Sequence, residues 1–408
     1  MTHLLPEFDR NGRRLLAAKL FRGFAFGMNA VVLGLYLAAL DLPAPVIGLI
    51  LSAALAGTLA LTLVIALWGD RIGRRRLLVI GSALMGLSAL IPWVGANPAV
   101  LVFIGLSGMV AVTSSESTGL QSVDQAVLPQ TVPDRQRTAA FALYNLAASA
   151  ASAVGALIVG PMLALGHAFG LTDAAAYAPA FLAYALAGLA STALSFSLDL
   201  RVEVGATLQR GFAIRRSRRT VAMLSALFSV DALAGGFVVQ SYLAYWFAAR
   251  FSADPAAVGT LFAASNILAA ISFPVAAWLA ARIGLIRTMV FTHIPANLFL
   301  VGSALVPSLG PAIALILARA ALSSMDVPAR QSYTMAVVDP DERTATAGVT
   351  SLARSVGQVI GPALAGVLLV PMGIGAPLIA GGLLKTGYDL SLYAFFRGRP
   401  APGEEVRR

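Results

Sequence analysis

The chain has 408 residues, of which 58% are hydrophobic and only 12% charged, with no cysteine and a formal net charge of +10. Soluble domains carry about 25% charged residues, so this composition excludes an ordinary soluble domain, and the missing thiols exclude disulfides and cysteine chemistry. The positive balance is expected on loops that face anionic lipid rather than on a nucleic-acid surface.

The N-terminal stretch MTHLLPEFDRNGRR is charged and carries no small-residue cleavage site, so no signal peptide is expected. A bilayer needs about 20 apolar residues per crossing helix. Twelve such runs follow in order, near 15–40, 45–68, 77–96, 98–121, 138–165, 175–198, 219–248, 255–281, 288–306, 309–330, 344–370 and 374–396. None alternates with period two, so a membrane barrel is excluded and helices remain.

Basic residues fall in alternate connections. One set holds Arg71, Arg74, Arg75 and Arg76, then Arg135 and Arg137, Arg201 to Arg219, Arg282 and Arg287, and Arg343. Both termini join it, with Arg10, Arg13, Arg14, Arg397 and Arg399. The opposite set holds Asp41, Asp173 and Asp254, with Arg250 as its basic residue. Both ends are therefore expected in the cytoplasm, in a multi-pass protein of a bacterial inner membrane. Residues 199–218 form a basic linker, read as a surface segment on anionic lipid, between halves at 1–198 and 219–408.

The halves resemble each other. Gln125 to Gly160 reads QAVLPQTVPDRQRTAAFALYNLAASAASAVGALIVG. Gln331 to Gly366 reads QSYTMAVVDPDERTATAGVTSLARSVGQVIGPALAG, displaced by 343 − 137 = 206 positions. Gln125, Arg137, Thr138, Gly155 and Gly160 fall on Gln331, Arg343, Thr344, Gly361 and Gly366. Arg71-Ile72-Gly73 is likewise echoed by Arg282-Ile283-Gly284. A repeat of half the chain predicts two equivalent bundles of six helices.

The loop Gly69-Asp70-Arg71-Ile72-Gly73-Arg74-Arg75-Arg76 resembles the signature loop of the major facilitator superfamily, between helices two and three. The resemblance extends over the whole chain: twelve spans, two halves, a basic central linker and a weakened second loop copy. It implies an all-α membrane protein of twelve transmembrane helices in two pseudo-symmetric six-helix bundles. It also implies that Asp70, with Gly69, Arg71, Gly73 and Arg74, latches one conformation by meeting the eleventh helix near Thr344. The chain departs from two family patterns. Thr113-Ser114-Ser115-Glu116 stands where many members carry an arginine in the fourth helix, and Gly155-Ala156 stands where proton-antiporting exporters carry Gly-Pro in the fifth.

Ionisable groups inside a span are functional candidates by default. The resemblance implies that helices one, four, seven and ten line a central cavity, and each carries one such group: Arg22, Glu116, Asp231 and Arg319. Either these pair across helices as structural bonds, or a carboxylate exchanges a proton during transport. Arg354 and Gln358 are four apart on helix eleven and form a candidate anion-binding face, while Lys385 and Asp389 are spaced to pair with each other on helix twelve. Asn29, Tyr36, Tyr144, Asn145, Gln240, Tyr242 and Asn266 are candidate cavity-lining residues. Asn297 lies on helix nine, which in the family usually faces lipid. Asp124 and Arg330 occupy equivalent positions with opposite signs and, with Arg343, are expected to gate the cytoplasmic side.

No phosphate-binding Gly-Lys-Ser/Thr loop is present, so direct ATP use is not expected. Three histidines, His3, His167 and His293, without paired spacing, offer no catalytic or metal site. The chain reads as a monomeric secondary transporter working by alternating access. Its partners are a small-molecule substrate, protons and lipid, with no nucleic acid, cofactor or metal. The mixed lining favours proton-coupled export of a small amphiphilic compound; the alternative is proton-coupled uptake of an organic anion or another small polar solute.

Overall fold

The computed structural model describes residues 6–114, 119–133, 136–199, 203, 214–339 and 342–398, with side chains undescribed at 70, 119, 137–139, 142, 173 and 344. Every regular element among them is helical. In chain order these are α1 (Arg10–Ala39), α2 (Ala44–Ile72), α3 (Arg74–Leu84), α4 (Ile91–Val94), α5 (Pro98–Gly105), α6 (Gly119–Val127), α7 (Arg137–Leu157), α8 (Val159–Ala168) and α9 (Ala178–Phe196). There follow α10 (Arg218–Gly236), α11 (Gln240–Phe251), α12 (Pro255–Ile283), α13 (Leu285–Leu305), α14 (Leu309–Ser323), α15 (Asp326–Ala336), α16 (Arg343–Met372) and α17 (Ala376–Phe396). Ten described stretches are long and apolar enough to cross a membrane. The 21 residues of α17 are also sufficient in length. The remaining crossing is the interrupted α5–α6 pair. Large apolar side chains such as Leu67, Trp93, Phe103, Leu189 and Val367 are exposed, as expected of a surface solvated by lipid.

The fourth span departs from expectation. The apolar run at 98–121 reads as one helix, yet α5 stops at Gly105 and irregular backbone continues through Ser114. Gly108 turns the chain with φ of +74°, a conformation that only glycine adopts cheaply. The freed carbonyls find partners from neighbouring helices. Thr58 donates to Gly108 at 3.2 Å, Asn29 to Ala111 at 2.9 Å and Ser152 to Ser114 at 3.2 Å. Tyr184 donates to Met109, and the Ser241 N–H to Val112 at 3.1 Å. Non-helical backbone at membrane depth is tolerated only with such internal bonding.

The contacts divide the chain into two units. The first comprises Met1–Thr207 with Gln240–Asn266, and the second Leu208–Val239 with Ile267–Arg408. This differs from a division at the linker, because α10 ends at Gly236 and α11 packs elsewhere: Ser241 Oγ donates to Ala30 at 2.9 Å within the first unit.

Each unit is centred on one close helix crossing. In the first, α1 crosses α7, where a Cβ on Gly155 would collide with the Phe24 carbonyl. In the second, α10 crosses α16, where a Cβ on Gly361 would collide with Gly236 and the Leu233 carbonyl. Gly155 and Gly361 are the paired glycines of the internal repeat, so the repeat preserves the contact that lets each pair of backbones touch. The second unit packs Leu224, Phe228, Met289, Tyr333, Leu392 and Phe396 into a core beside its charged groups.

Candidate functional site

The second unit gathers most of the buried charge. Asp231 sits on α10 two turns beyond Leu224, and its carboxylate receives three cations. Lys385 Nζ from α17 donates to Oδ1 at 2.5 Å, Arg354 Nη1 from α16 to Oδ2 at 2.9 Å, and Arg330 Nη1 from α15 to Oδ2 at 3.5 Å. Arg330 also bonds Asp326, one turn earlier on α15, at 2.6 Å. Arg319 on α14 lies within electrostatic reach of Asp231, and its Nε is buried with no hydrogen-bond acceptor among the described residues. Four basic side chains thus face Asp231 and Asp326, with Asp389 close enough to act on Asp231 and Lys385: 4 − 3 leaves one positive charge in excess. The side chain of Arg354 is 31% exposed, against 4% for Asp231, so it is the outward edge of the cluster. Gln358 lies one turn beyond Arg354 and is half-buried.

Lys385 and Asp389, spaced to pair with each other, do not. Lys385 is drawn to Asp231, and Asp389 is held by α13 instead. His293 Nδ1 lies 3.0 Å from Asp389 Oδ1, and Asn297 Nδ2 donates to Oδ2 at 2.8 Å. All three side chains are buried, so Asn297 faces the interior of its unit and not lipid.

In the first unit the buried charges close on each other. Arg22 on α1 is ion-paired with Asp124 on α6, both wholly buried. Arg22 Nη1 also donates to Ser191 at 3.2 Å, and Tyr144 Oη to Asp124 at 2.5 Å. Lys19, one turn before Arg22, lies over the Tyr144 ring at 4.8 Å. Arg22 and Asp231 are thus separate anchors, each bound to its own unit. The first-unit pair has a counterpart: Arg330 follows Asp124 by 330 − 124 = 206, the displacement of the repeat, and bonds Asp231. Arg22 and Asp231, 231 − 22 = 209 apart, match as well, since Gly27 and Gly236, five residues after them, meet Ser152 and Gln358 (358 − 152 = 206), so matching places form the same bridge with the signs exchanged.

An uncharged cluster surrounds the irregular fourth span. Ser114 N donates to Gln240 Oε1, and Ser114 Oγ to Asn266 Oδ1 at 2.8 Å. Asn266 reaches Ser152 at 3.4 Å. Asn29 Oδ1 and Tyr242 Oη are buried without hydrogen-bond partners among the described residues. Tyr36 is spent on helix packing, donating to the Ile91 carbonyl at 3.0 Å. Asn145 is exposed and belongs to neither cluster. Glu116 and the Asp70 side chain lie outside the described residues.

At the helix ends, two acids that carry no motif organise the basic loops. After Gly69, Arg71 is exposed and Gly73 turns the chain with φ of +96°. Glu203 then accepts the N–H groups of Arg74 at 2.7 Å and Arg75 at 3.0 Å, capping α3. Glu342 accepts the N–H groups of Arg215 at 2.5 Å, Arg216 at 2.8 Å and Ser217 at 2.9 Å, holding the turn that enters α10 up to its N-cap residue Ser217. The Arg216 and Arg215 amides lower its carboxyl from 4.5 to about 2. Arg343, the next residue, is exposed and bonds the Met335 carbonyl at 2.9 Å.

The family model of the Major Facilitator Superfamily matches residues 15–362 and again 226–408. The chain belongs to the Major Facilitator Superfamily. Membership makes it a multi-pass membrane transporter of small molecules and not an enzyme. A curated relative, the uncharacterized membrane protein YJR124C of Saccharomyces cerevisiae, is 27% identical over 427 residues, covering 96% of this chain and 95% of that protein. Among solved structures, the chain resembles a point mutant of the nucleoside transporter NupG, with 12% identity, a TM-score of 0.73, and 95% and 99% of the two chains covered. It also resembles a D-xylose–proton symporter, with 13% identity, a TM-score of 0.70, and coverage of 94% and 97%. At these identities the superfamily structures share a fold.

Proposed function

We propose that this superfamily member is a proton-coupled secondary transporter that takes up a small organic anion by alternating access between two six-helix halves, both termini lying in the cytoplasm. The observation that carries the reading is Arg319: a guanidinium whose Nε is buried without an acceptor among the described residues, within a cluster holding one cation more than carboxylates. An unmet buried donor calls for a ligand or water, and planar guanidinium groups recognise carboxylate and phosphate. Arg319 and Arg354 bind the anion, with Gln358 beside them; Asp231 positions Arg354 and Lys385 as their counter-ion.

Membrane electrostatics favours uptake with protons. An inside-negative potential opposes anion entry by about 2.3 kcal/mol per charge per 100 mV. A proton moving with the anion removes that cost, whereas anion export needs no such help. The chain also lacks the exporters' Gly-Pro pair in the fifth helix, and the Tyr36, Tyr144 and Tyr242 rings, which suggest an amphiphile cavity by sequence, are buried in packing. The Gly69 to Arg74 loop, with Asp70 and Arg343, serves as a conformational latch in this reading, while the Asp124 and Arg330 bridges hold each half together as it moves.

A neutral polar solute is the second reading, favoured by the unpartnered Asn29 Oδ1 and Tyr242 Oη beside Gln240 and Asn266. The two are separated by uptake of labelled lactate, succinate, glycerol 3-phosphate and uridine into proteoliposomes under an inward proton gradient. The anion reading expects uptake of at least one anion, with Arg319→Gln lowering it by about tenfold or more, the loss of one charge-assisted bond. Uptake of uridine alone, or indifference to Arg319→Gln, overturns it.

A further inference from the structure

The cation cluster accounts for Asp231 and Asp326 but leaves one buried titratable pair without a role. Asp389 is bonded by an imidazole and an amide, whereas Asp231 and Asp326 each face a permanent cation. We infer that the His293–Asp389 pair is the protonation site that couples proton movement to transport, an inference that rests on the anion-uptake reading above.

Geometry supports this in three ways. The pair is buried, His293 at 3% and Asp389 at 1% exposure, so a proton held there is shielded from bulk water. Histidine changes charge nearer neutrality than any other unperturbed side chain, and an ionisable group inside a span is costly unless it works. The pair also adjoins the anion cluster: Asp389 is one turn from Lys385 on α17, and Lys385 holds Asp231. Asp231 and Lys385 both act electrostatically on Asp389.

The groups around the pair are few. Lys385 from α17 and Asp231 from α10 act on Asp389, and Tyr388 from α17 and Asn297 from α13 adjoin the pair; of the charged groups on α14 and α15, which also pack against α13, Arg319 acts on Asp231, and Asp326 and Arg330 act on Tyr388. The Tyr388 ring stands edge-on to the imidazole at 6.3 Å.

The charge balance gives the coupling. With neutral His293 and ionised Asp389 the pair carries −1. One proton brings it to zero and leaves Lys385 less neutralised, so the cluster binds an anion more tightly. By linkage, the bound anion raises the proton affinity of the pair to the same extent. The proton enters and leaves with the anion, and no bond other than those to hydrogen is made or broken. Asn297 bonds Oδ2, so the pair meets through Oδ1 and the imidazole Nδ1.

The test uses the full chain in proteoliposomes with labelled lactate, succinate and glycerol 3-phosphate. A gradient of one pH unit sustains about tenfold accumulation of an electroneutral anion–proton pair. In the wild type, accumulation follows the gradient and anion exchange without a gradient strengthens toward acidic pH. In His293→Gln, accumulation falls to about the gradient-free level and exchange loses its pH dependence; a pair that merely holds α13 to α17 would lower both without flattening the profile. If His293→Gln does not fold, proton uptake by the wild type on succinate binding in weakly buffered detergent is compared with Asp389→Asn, which abolishes it. A His293→Gln or Asp389→Asn protein with the wild-type pH profile overturns the inference and leaves anion uptake standing. A wild type that takes up none of the three anions overturns the anion reading and the inference with it.

Discussion

Glu342 illustrates how one carboxylate sets the start of a helix far from it in sequence. Amides in the turn before a helix, and that of its N-cap residue, have no partner inside the helix. The stretch from Arg215 to Ser217 leads into α10, and three of its amides converge on this side chain. The carboxyl is lowered from 4.5 to about 2, so the cap contributes fully above 4.5 and is lost as pH falls through 2. Thermal unfolding of the purified protein should therefore separate wild type from Glu342→Gln by a constant interval above about pH 5, narrowing from about pH 4.5 downward. An interval that grows on acidification would refute the cap. None of this was legible in the sequence, because Glu342 lies 125 or more positions from its partners and carries no local signature.

At the scale of helices, the exchanged bridge is the most informative feature. Arg22 with Asp124, and Asp231 with Arg330, occupy matching places in the two halves. The sign of each residue changed between halves while the pairing was kept. Removing one partner of a buried pair costs about 3–5 kcal/mol, so the charges can exchange only together. Arg22→Asp and Asp124→Arg alone should each sharply lower folded yield and Tm, and the double variant should recover part of both. Recovery stays incomplete because the bonds from Tyr144 and to Ser191 are made for the present arrangement. No recovery would mean that the bridge polarity in the first unit is fixed by something other than the pair itself. The sequence revealed the opposite signs at Asp124 and Arg330, since equivalence follows from register alone. It did not reveal the partners, which are 102 and 99 positions away. Local spacing misled at Lys385 and Asp389, where a carboxylate on α10 and an imidazole and amide on α13 outcompete the neighbour one turn away. Hydropathy misled at the fourth span, since an apolar run does not register a glycine turn. The signals that could have marked it are Ser107-Gly108 and the hydroxyl-rich run after Val112.

For the whole molecule, the twelve runs and the fold class were legible because burial in lipid is a local, compositional requirement. Sidedness rests on arginine placement and makes a prediction of its own. The absence of cysteine means that any introduced thiol reports alone. Ala96, in the turn after α4, and Gly398, after α17, are both exposed, and the alternation of loops assigns them to opposite sides. In intact cells a membrane-impermeant maleimide should label Ala96→Cys at once and Gly398→Cys only after permeabilisation. The reverse pattern would invert the protein in the membrane. The potential would then drive the anion the other way, and proton-coupled uptake would lose its electrostatic rationale. Equal labelling of both sites without permeabilisation would put the two loops on one face and break the alternation on which the twelve-span topology depends.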